Sequence, residues 1–164
     1  MIYNSPVGAI EINIADGFIY EILFIDSEEK QTRTASSIVY DEDKKILNQC
    51  ITQLDEYFSG KRKNFDLPVR QEGTEFQQKV WTELIQIPYG KTISYLRLAQ
   101  RLGNVKIIRA AASANGRNQL SIVVPCHRVI GSDGSLTGYG GGLPRKKWLL
   151  DHENKYANGV SLLF

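Results

Sequence analysis

The chain has 164 residues, of which 42% are hydrophobic and 23% charged, with a formal net charge of +2. These values exclude a disordered or fibrous protein and leave room for one full core or two small ones. No apolar run reaches the roughly 20 residues of a membrane span. No basic start leads into an apolar stretch and cleavage site of the secretory kind, so Cys50 and Cys126 are expected as free thiols in a reducing cytosol.

Along the chain, Ile10, Ile12 and Ile14 alternate with Glu11 and Asn13, the period of a half-buried strand. Asp16-Gly17 predicts a hairpin turn into a second strand, "FIYEILFI". From Asp41 to Phe58 the apolar residues Ile46, Leu47, Cys50, Ile51, Leu54, Tyr57 and Phe58 recur at helical spacing, and Ser59-Gly60 stops the helix. Cys50 lies on the apolar face, where a thiol packs rather than reacts. The basic, proline-containing stretch "KRKNFDLPVRQEG" is the expected boundary, dividing a domain of residues 1–68 from one of residues 69–164.

The second half opens with Thr74 as an N-cap and an apolar face of Phe76, Val80, Trp81, Leu84 and Ile85. Ser94 can cap a short helix with the stripe Tyr95, Leu98, Ala99 and Leu102, which Gly103 ends. A second helix is expected from near Val105 to about Asn115, with Gly116 as its breaker. Two short helices about a glycine turn suggest a helix-turn-helix. Ala110, Ala111, Ala112 and Ala114 give the second helix a nearly bare surface, with Arg109 as its long side chain. Such a surface permits either tight packing on a neighbour or close approach to a narrow groove.

The segment "IVVPCHRVIG" places Cys126 and His127 together after Pro125. Proline restricts Val124 to extended conformations and should end a strand there. A free thiol near pKa 8.5 needs a positive neighbour or a base to act as a nucleophile; His127, Arg128, Lys146 and His152 are the candidates. Side chains adjacent in an extended segment face opposite ways, so His127 can serve Cys126 only through a turn or a bridging water. "LLDHEN" offers Asp151 and Glu153 to orient a histidine. A metal set of Cys126, His127, His152 and Glu153 lacks ligand spacing, and no protease signature surrounds Cys126.

The stretch "VVPCHRVIGSDGSLTGYGGGLPRKKWLLDHE", residues 123–153, resembles the active-site region of the O6-alkylguanine-DNA alkyltransferases, and the resemblance extends back through "IPYGKTISYLRLA" to about Phe76. It implies an α/β fold: a small N-terminal sheet-plus-helix domain, then a mostly helical C-terminal domain with a helix-turn-helix and the active-site cysteine. It implies irreversible, single-turnover transfer of an alkyl group from O6-alkylguanine in duplex DNA, and less readily from O4-alkylthymine, to Cys126. By the same resemblance, Glu153 orients His127, which deprotonates Cys126 through a water. Tyr95 protonates guanine N3, Lys146 favours the thiolate, and Asn118 is a hinge tying the helix-turn-helix to the active-site loop. Backbone groups of Cys126, Val129 and Gly140 read the base, and Tyr139 walls the pocket. Arg109 enters the base stack, with Tyr95, Asn104, Ser132, Ala110 and Ala114 at the DNA.

The resemblance implies no cofactor, no metal, no membrane partner, a monomer and a cytoplasmic location, or a nuclear one in a eukaryote. Gly140 stands where some relatives have Ser, and Ser121 and Asn115 stand where others have Pro or Met. Both histidines lie in the C-terminal half, so the N-terminal zinc site of some members is not expected. The alternative is a lesion-binding protein that flags damage without repairing it; such relatives lack the cysteine. A more distant one is a helix-turn-helix regulator that uses Cys126 as a sensor.

Overall fold

The computed structural model describes residues 1–26 and 40–159. The chain divides into two compact units, Met1–Gln71 and Glu72–Phe164. In the first, strands β1 (Ile2–Ser5), β2 (Gly8–Ala15) and β3 (Phe18–Ile25) form an antiparallel meander in that order. The β2–β3 turn is made by Asp16 at φ 52 and Gly17 at φ 81, two positive values in succession that Asp-Gly tolerates. Helix α1 (Asp41–Phe58) packs on β2 and β3 and buries Leu47, Cys50, Leu54 and Tyr57 against Ile10, Ile12, Ile19 and Ile22.

The basic stretch is not a free linker. Gln53 on α1 exchanges two hydrogen bonds with the Asp66 backbone, at 2.8 and 2.9 Å. Ile19 N donates to Pro68 O and Arg70 N to Ile19 O, so the segment runs as an extra rung beside β3. These pairings carry the first unit on to Gln71, slightly beyond the boundary expected at residue 68.

The second unit begins with helix α2 (Glu75–Ile85), whose N-terminus is closed by reciprocal hydrogen bonds between Thr74 and Gln77. Strand β4 (Ile93–Ser94) leads directly into helix α3 (Tyr95–Arg101), with the Ser94 hydroxyl accepting from Arg97 N. After Gly103, at φ 96, a single 3-10 turn precedes helix α4 (Ile108–Gly116), which packs on both α2 and α3. Gly116 does not break α4. It is the last helical residue and Arg117 is the cap, with its N–H bonded back to Ser113 O and Ala114 O. The helix ends without a left-handed residue, so glycine's conformational freedom is not used there.

The apolar run before Pro125 is not a strand either. Residues 121–124 turn, with Ile122 buried at φ 71 and Val124 N bonded to Leu120 O. Cys126–Arg128 then form a 3-10 turn that delivers the chain to strand β5 (Val129–Ile130). β5 pairs in parallel with β4, Ile93 with Val129 and Ser94 with Ile130. The residue that caps α3 is thereby fixed to the residues just after the cysteine. Helix α5 (Leu143–Asn158) closes the unit, stopped by Gly159 at φ 71.

Candidate active site

Helix α5 turns the stripe Lys146, Leu149, Leu150 and Glu153 inward, at spacings of three and four residues. An apolar stripe with a charge at each end brings an ammonium and a carboxylate into the interior, where each must find partners. Lys146 Nζ donates to the carbonyls of Val129 (2.7 Å), Thr137 (2.9 Å) and Gly138 (3.4 Å). It also lies 5.7 Å from the centre of the Tyr95 ring. Burial pulls its pKa down to about 8, against the support of Cys126.

Glu153 Oε2 lies 3.0 Å from His127 Nε2, both groups buried. A carboxylate only accepts, so Nε2 carries the proton and Nδ1 is the free lone pair. Nδ1 is buried with no hydrogen-bond partner among the described residues. Arg128 grips the same carboxylate, Nε to Oε1 at 2.8 Å and Nη2 to Oε2 at 2.9 Å, while Nη1 donates to Ile87 O at 2.7 Å. Burial raises the Glu153 pKa, but His127 and the fork of Arg128 outweigh it and hold the carboxyl well below the usual carboxylate range. Burial lowers the His127 pKa and outweighs the upward pull of Glu153, and the charges of Arg128 and Lys146 add to the lowering. With Glu153 already compensated by Arg128, His127 rests neutral.

Cys126 is 6% exposed at the start of its turn. Burial pushes its thiol up, while Asn118, the charge of Lys146 and the backbone N–H groups of Cys126 and His127 act the other way. Asn118 Nδ2 donates to Val124 O at 2.8 Å and Oδ1 accepts from Leu120 N at 3.1 Å, so this side chain pins the turn before the cysteine to the end of α4. Among the expected positive neighbours, Lys146 acts on the sulfur, whereas Arg128 is turned to Glu153. His152 stacks on Trp148 (4.8 Å) and meets Tyr156 edge to face (4.9 Å). Among the described residues no group of three or more His, Cys, Asp or Glu side chains is placed to hold a metal.

A groove of about 470 Å³ is lined by residues including Tyr95, Arg109, Ala112, Asn115, Gly116 and Tyr139. The Tyr95 hydroxyl donates to Thr137 O at 3.0 Å. Burial raises the pKa of both Tyr95 and Tyr139, so both keep their phenolic protons. Arg109 and Ala110 are exposed, and so are Asn104, Ser132 and Gly140, which lie outside the groove lining. Val129 is fully buried and lies outside the groove lining, with its carbonyl accepting from Lys146 Nζ.

Ala114 does not belong with the exposed set. It is 3% exposed and its carbonyl accepts from Trp81 Nε1 at 3.0 Å, so it packs against α2. The small residues of α4 facing the groove are Ala112 and Gly116, displaced from Ala114 by two positions on either side. The sequence reading also missed the grip of Arg128 on Glu153. The signal available was a third charge beside Cys-His, with a carboxylate seven residues after a lysine on one helix face.

The family models for the 6-O-methylguanine DNA methyltransferase ribonuclease-like domain and DNA binding domain match residues 1–71 and 75–155. A methylated-DNA–protein-cysteine methyltransferase of Methanosarcina barkeri is 42% identical over 93% of this chain and 94% of its own length. The crystal structure of the Mycobacterium tuberculosis O6-methylguanine methyltransferase superposes with a TM-score of 0.82 at 36% identity, covering 97% of this chain and 94% of that one. A Mycobacterium tuberculosis OGT structure in complex with DNA gives 0.81 at 37% identity, covering 95% and 92%. The chain belongs to the 6-O-methylguanine DNA methyltransferase family.

Proposed function

We propose that this protein repairs duplex DNA by moving an alkyl group from guanine O6 to Cys126 Sγ, once per molecule. One arrangement carries the reading: a buried cysteine at the start of a tight turn, next to a neutral histidine whose far nitrogen is fixed by a buried, ionised carboxylate. Relatives named for methyl transfer from methylated DNA to a protein cysteine, and a neighbour solved with DNA, support the substrate.

The thiol proton passes to His127 Nδ1 through a bridging water, because that nitrogen makes no direct bond to the sulfur. The sulfur attacks the alkyl carbon in line with the C–O6 bond, so an S–C bond forms as the C–O bond breaks. The electron pair left on the purine is neutralised at N3 by the Tyr95 hydroxyl. Tyr95 recovers its proton from His127 by way of solvent, and the net result is thiol proton on guanine and alkyl group on sulfur. A thioether at Cys126 offers no hydrolysable bond, so the site does not regenerate.

Arg109 fills the stack vacated by the damaged nucleotide, and Ala112 and Gly116 allow the backbone of α4 to approach a minor groove. Asn104, Ser132 and Ala110 hold the DNA around it. O4-alkylthymine is a poorer substrate, and the protein acts as a monomer.

The test is a duplex carrying O6-methylguanine, followed by intact mass and peptide mapping. A gain of one methyl, confined to Cys126 and saturating at one per chain, is expected. Binding with no change of mass would replace repair by damage flagging.

A further inference from the structure

Asn115 lines the groove beside Tyr95, Arg109 and Tyr139, yet is itself only 4% exposed. Its Nδ2 points at the Cys126 carbonyl, 3.4 Å away, and its amide interacts with the Tyr95 hydroxyl. Its Oδ1 is buried with no hydrogen-bond partner among the described residues. Buried polar atoms without partners are rare in folded proteins, and each calls for an explanation. Packing alone does not require an amide, since an apolar side chain of similar size would fill the same space without burying an unpaired acceptor. An acceptor kept empty on the wall of a ligand groove is one that a ligand donor can fill.

We infer that Asn115 Oδ1 is a specificity-determining acceptor for the exocyclic 2-amino group of the flipped purine. The inference rests on the reaction proposed above. There, N3 faces the Tyr95 hydroxyl and the alkyl group on O6 faces Cys126 Sγ. The 2-amino group is bonded to the carbon next to N3. Asn115 lines the groove with Tyr95 and its Nδ2 lies 3.4 Å from the Cys126 carbonyl, so a purine seated between Tyr95 and Cys126 turns its amine toward this carboxamide. O4-alkylthymine has no N–H on its base, since alkylation removes the N3 hydrogen, and it leaves Oδ1 buried and empty. Sites built to hydrogen-bond a substrate donor reject analogues that lack it more steeply than apolar pockets reject a missing methylene. Asn115 thus biases the protein toward guanine adducts.

The probes are three duplexes, carrying O6-methylguanine, O6-methylhypoxanthine (the same purine without the 2-amino group) and O4-methylthymine. The readout is the rate of methyl transfer to Cys126 by mass. The wild type should favour O6-methylguanine over O6-methylhypoxanthine by about 10- to 100-fold, the cost of leaving one buried acceptor unpaired. Asn115→Met, which keeps the bulk and removes the acceptor, should slow only the guanine substrate and bring the ratio to within about threefold. Asn115→Ala, checked by thermal melting, should do the same if Met misfits. A preserved ratio, or an equal fall on all three duplexes, overturns the inference. Absence of any transfer by the wild type fails the underlying reaction instead, and the two failures are read in the same experiment.

Discussion

Arg128→Met removes a guanidinium that makes three buried hydrogen bonds, two to Glu153 and one to Ile87 O. Methionine keeps much of the stem's packing, so the loss is mainly electrostatic. Breaking a buried ion pair from one side costs about 3–5 kcal/mol because the partner charge stays behind. The Ile87 carbonyl, left without its donor, adds about 1 kcal/mol more. A total of about 4–6 kcal/mol is a large share of a typical domain's 5–15 kcal/mol.

The variant has one relief. His127 is left to pair with Glu153 at 3.0 Å, and its pKa should rise. In the wild type the folded His127 pKa lies below its reference of 6.5. The unfolded chain therefore binds more protons in that window, and stability falls as pH falls through 6.5. In the variant the folded value lies above 6.5, so the contribution is present below 6.5 and is lost as pH rises through the folded value. The sign of stability against pH reverses around neutrality. Urea midpoints about one pH unit either side of 6.5 measure both effects, provided the m-value is unchanged. A loss below about 1 kcal/mol, or a slope of the wild-type sign, refutes the idea that Arg128 keeps His127 neutral.

Glu153 adds a second acid-sensitive step in the wild type: its folded pKa is depressed, so its contribution is present above the ordinary carboxylate range and lost on acidification below it, visible as a further drop in Tm. Cys50→Ala should leave methyl transfer intact and cost about 1 kcal/mol of stability, because the Cys50 thiol is fully buried and pushed by that burial up to about 12; loss of transfer without loss of stability would contradict this. Gly90→Ala should destabilise by about 2–4 kcal/mol, since a Cβ there would stand 2.4 Å from Ala157 Cβ at a φ of +77, and an unchanged melting temperature would show that the turn yields freely. Arg109→Ala should slow transfer from a fully paired duplex by at least about tenfold and less from a lesion opposite a mismatch, which costs less to flip; equal slowing on both would remove Arg109 from the flipping step.

Much of the fold was legible because local signals agreed with one another. The C-terminal end of α1 at Gly60, the Asp16-Gly17 turn and the caps Thr74 and Ser94 each rest on a residue whose side chain or φ acts within a few positions. β1 was not anticipated: Ile2–Ser5 carries no alternation of its own and exists because β2 offers an edge. The turn at 121–124 defeated the pattern for the opposite reason. An apolar run before proline looks like a strand, and only long-range contacts, the Asn118 side chain on Val124 O and the buried Ile122 at φ 71, bend it. For the site, Cys126, His127, Lys146 and Glu153 could be named, but the partition of Arg128 between Glu153 and Ile87 O depends on where three separate segments meet.

That partition bears on why the resting site is quiet. A cysteine–histidine pair can rest as thiolate and imidazolium when a free carboxylate stabilises the cation. Here the carboxylate is already balanced by Arg128, and burial disfavours charge on both Cys126 and His127. The positive groups that remain near the sulfur, Lys146 and the amides of the turn, soften the ionisation without completing it. In the reaction proposed above, the last part of the driving force comes from the seated base, through the proton that Tyr95 offers to the departing purine. For an enzyme that turns over, a half-prepared nucleophile is a loss of rate on every cycle. For a protein that reacts once, as proposed above, a premature thiolate would expose the whole molecule to stray electrophiles, and a neutral resting pair would cost rate only once.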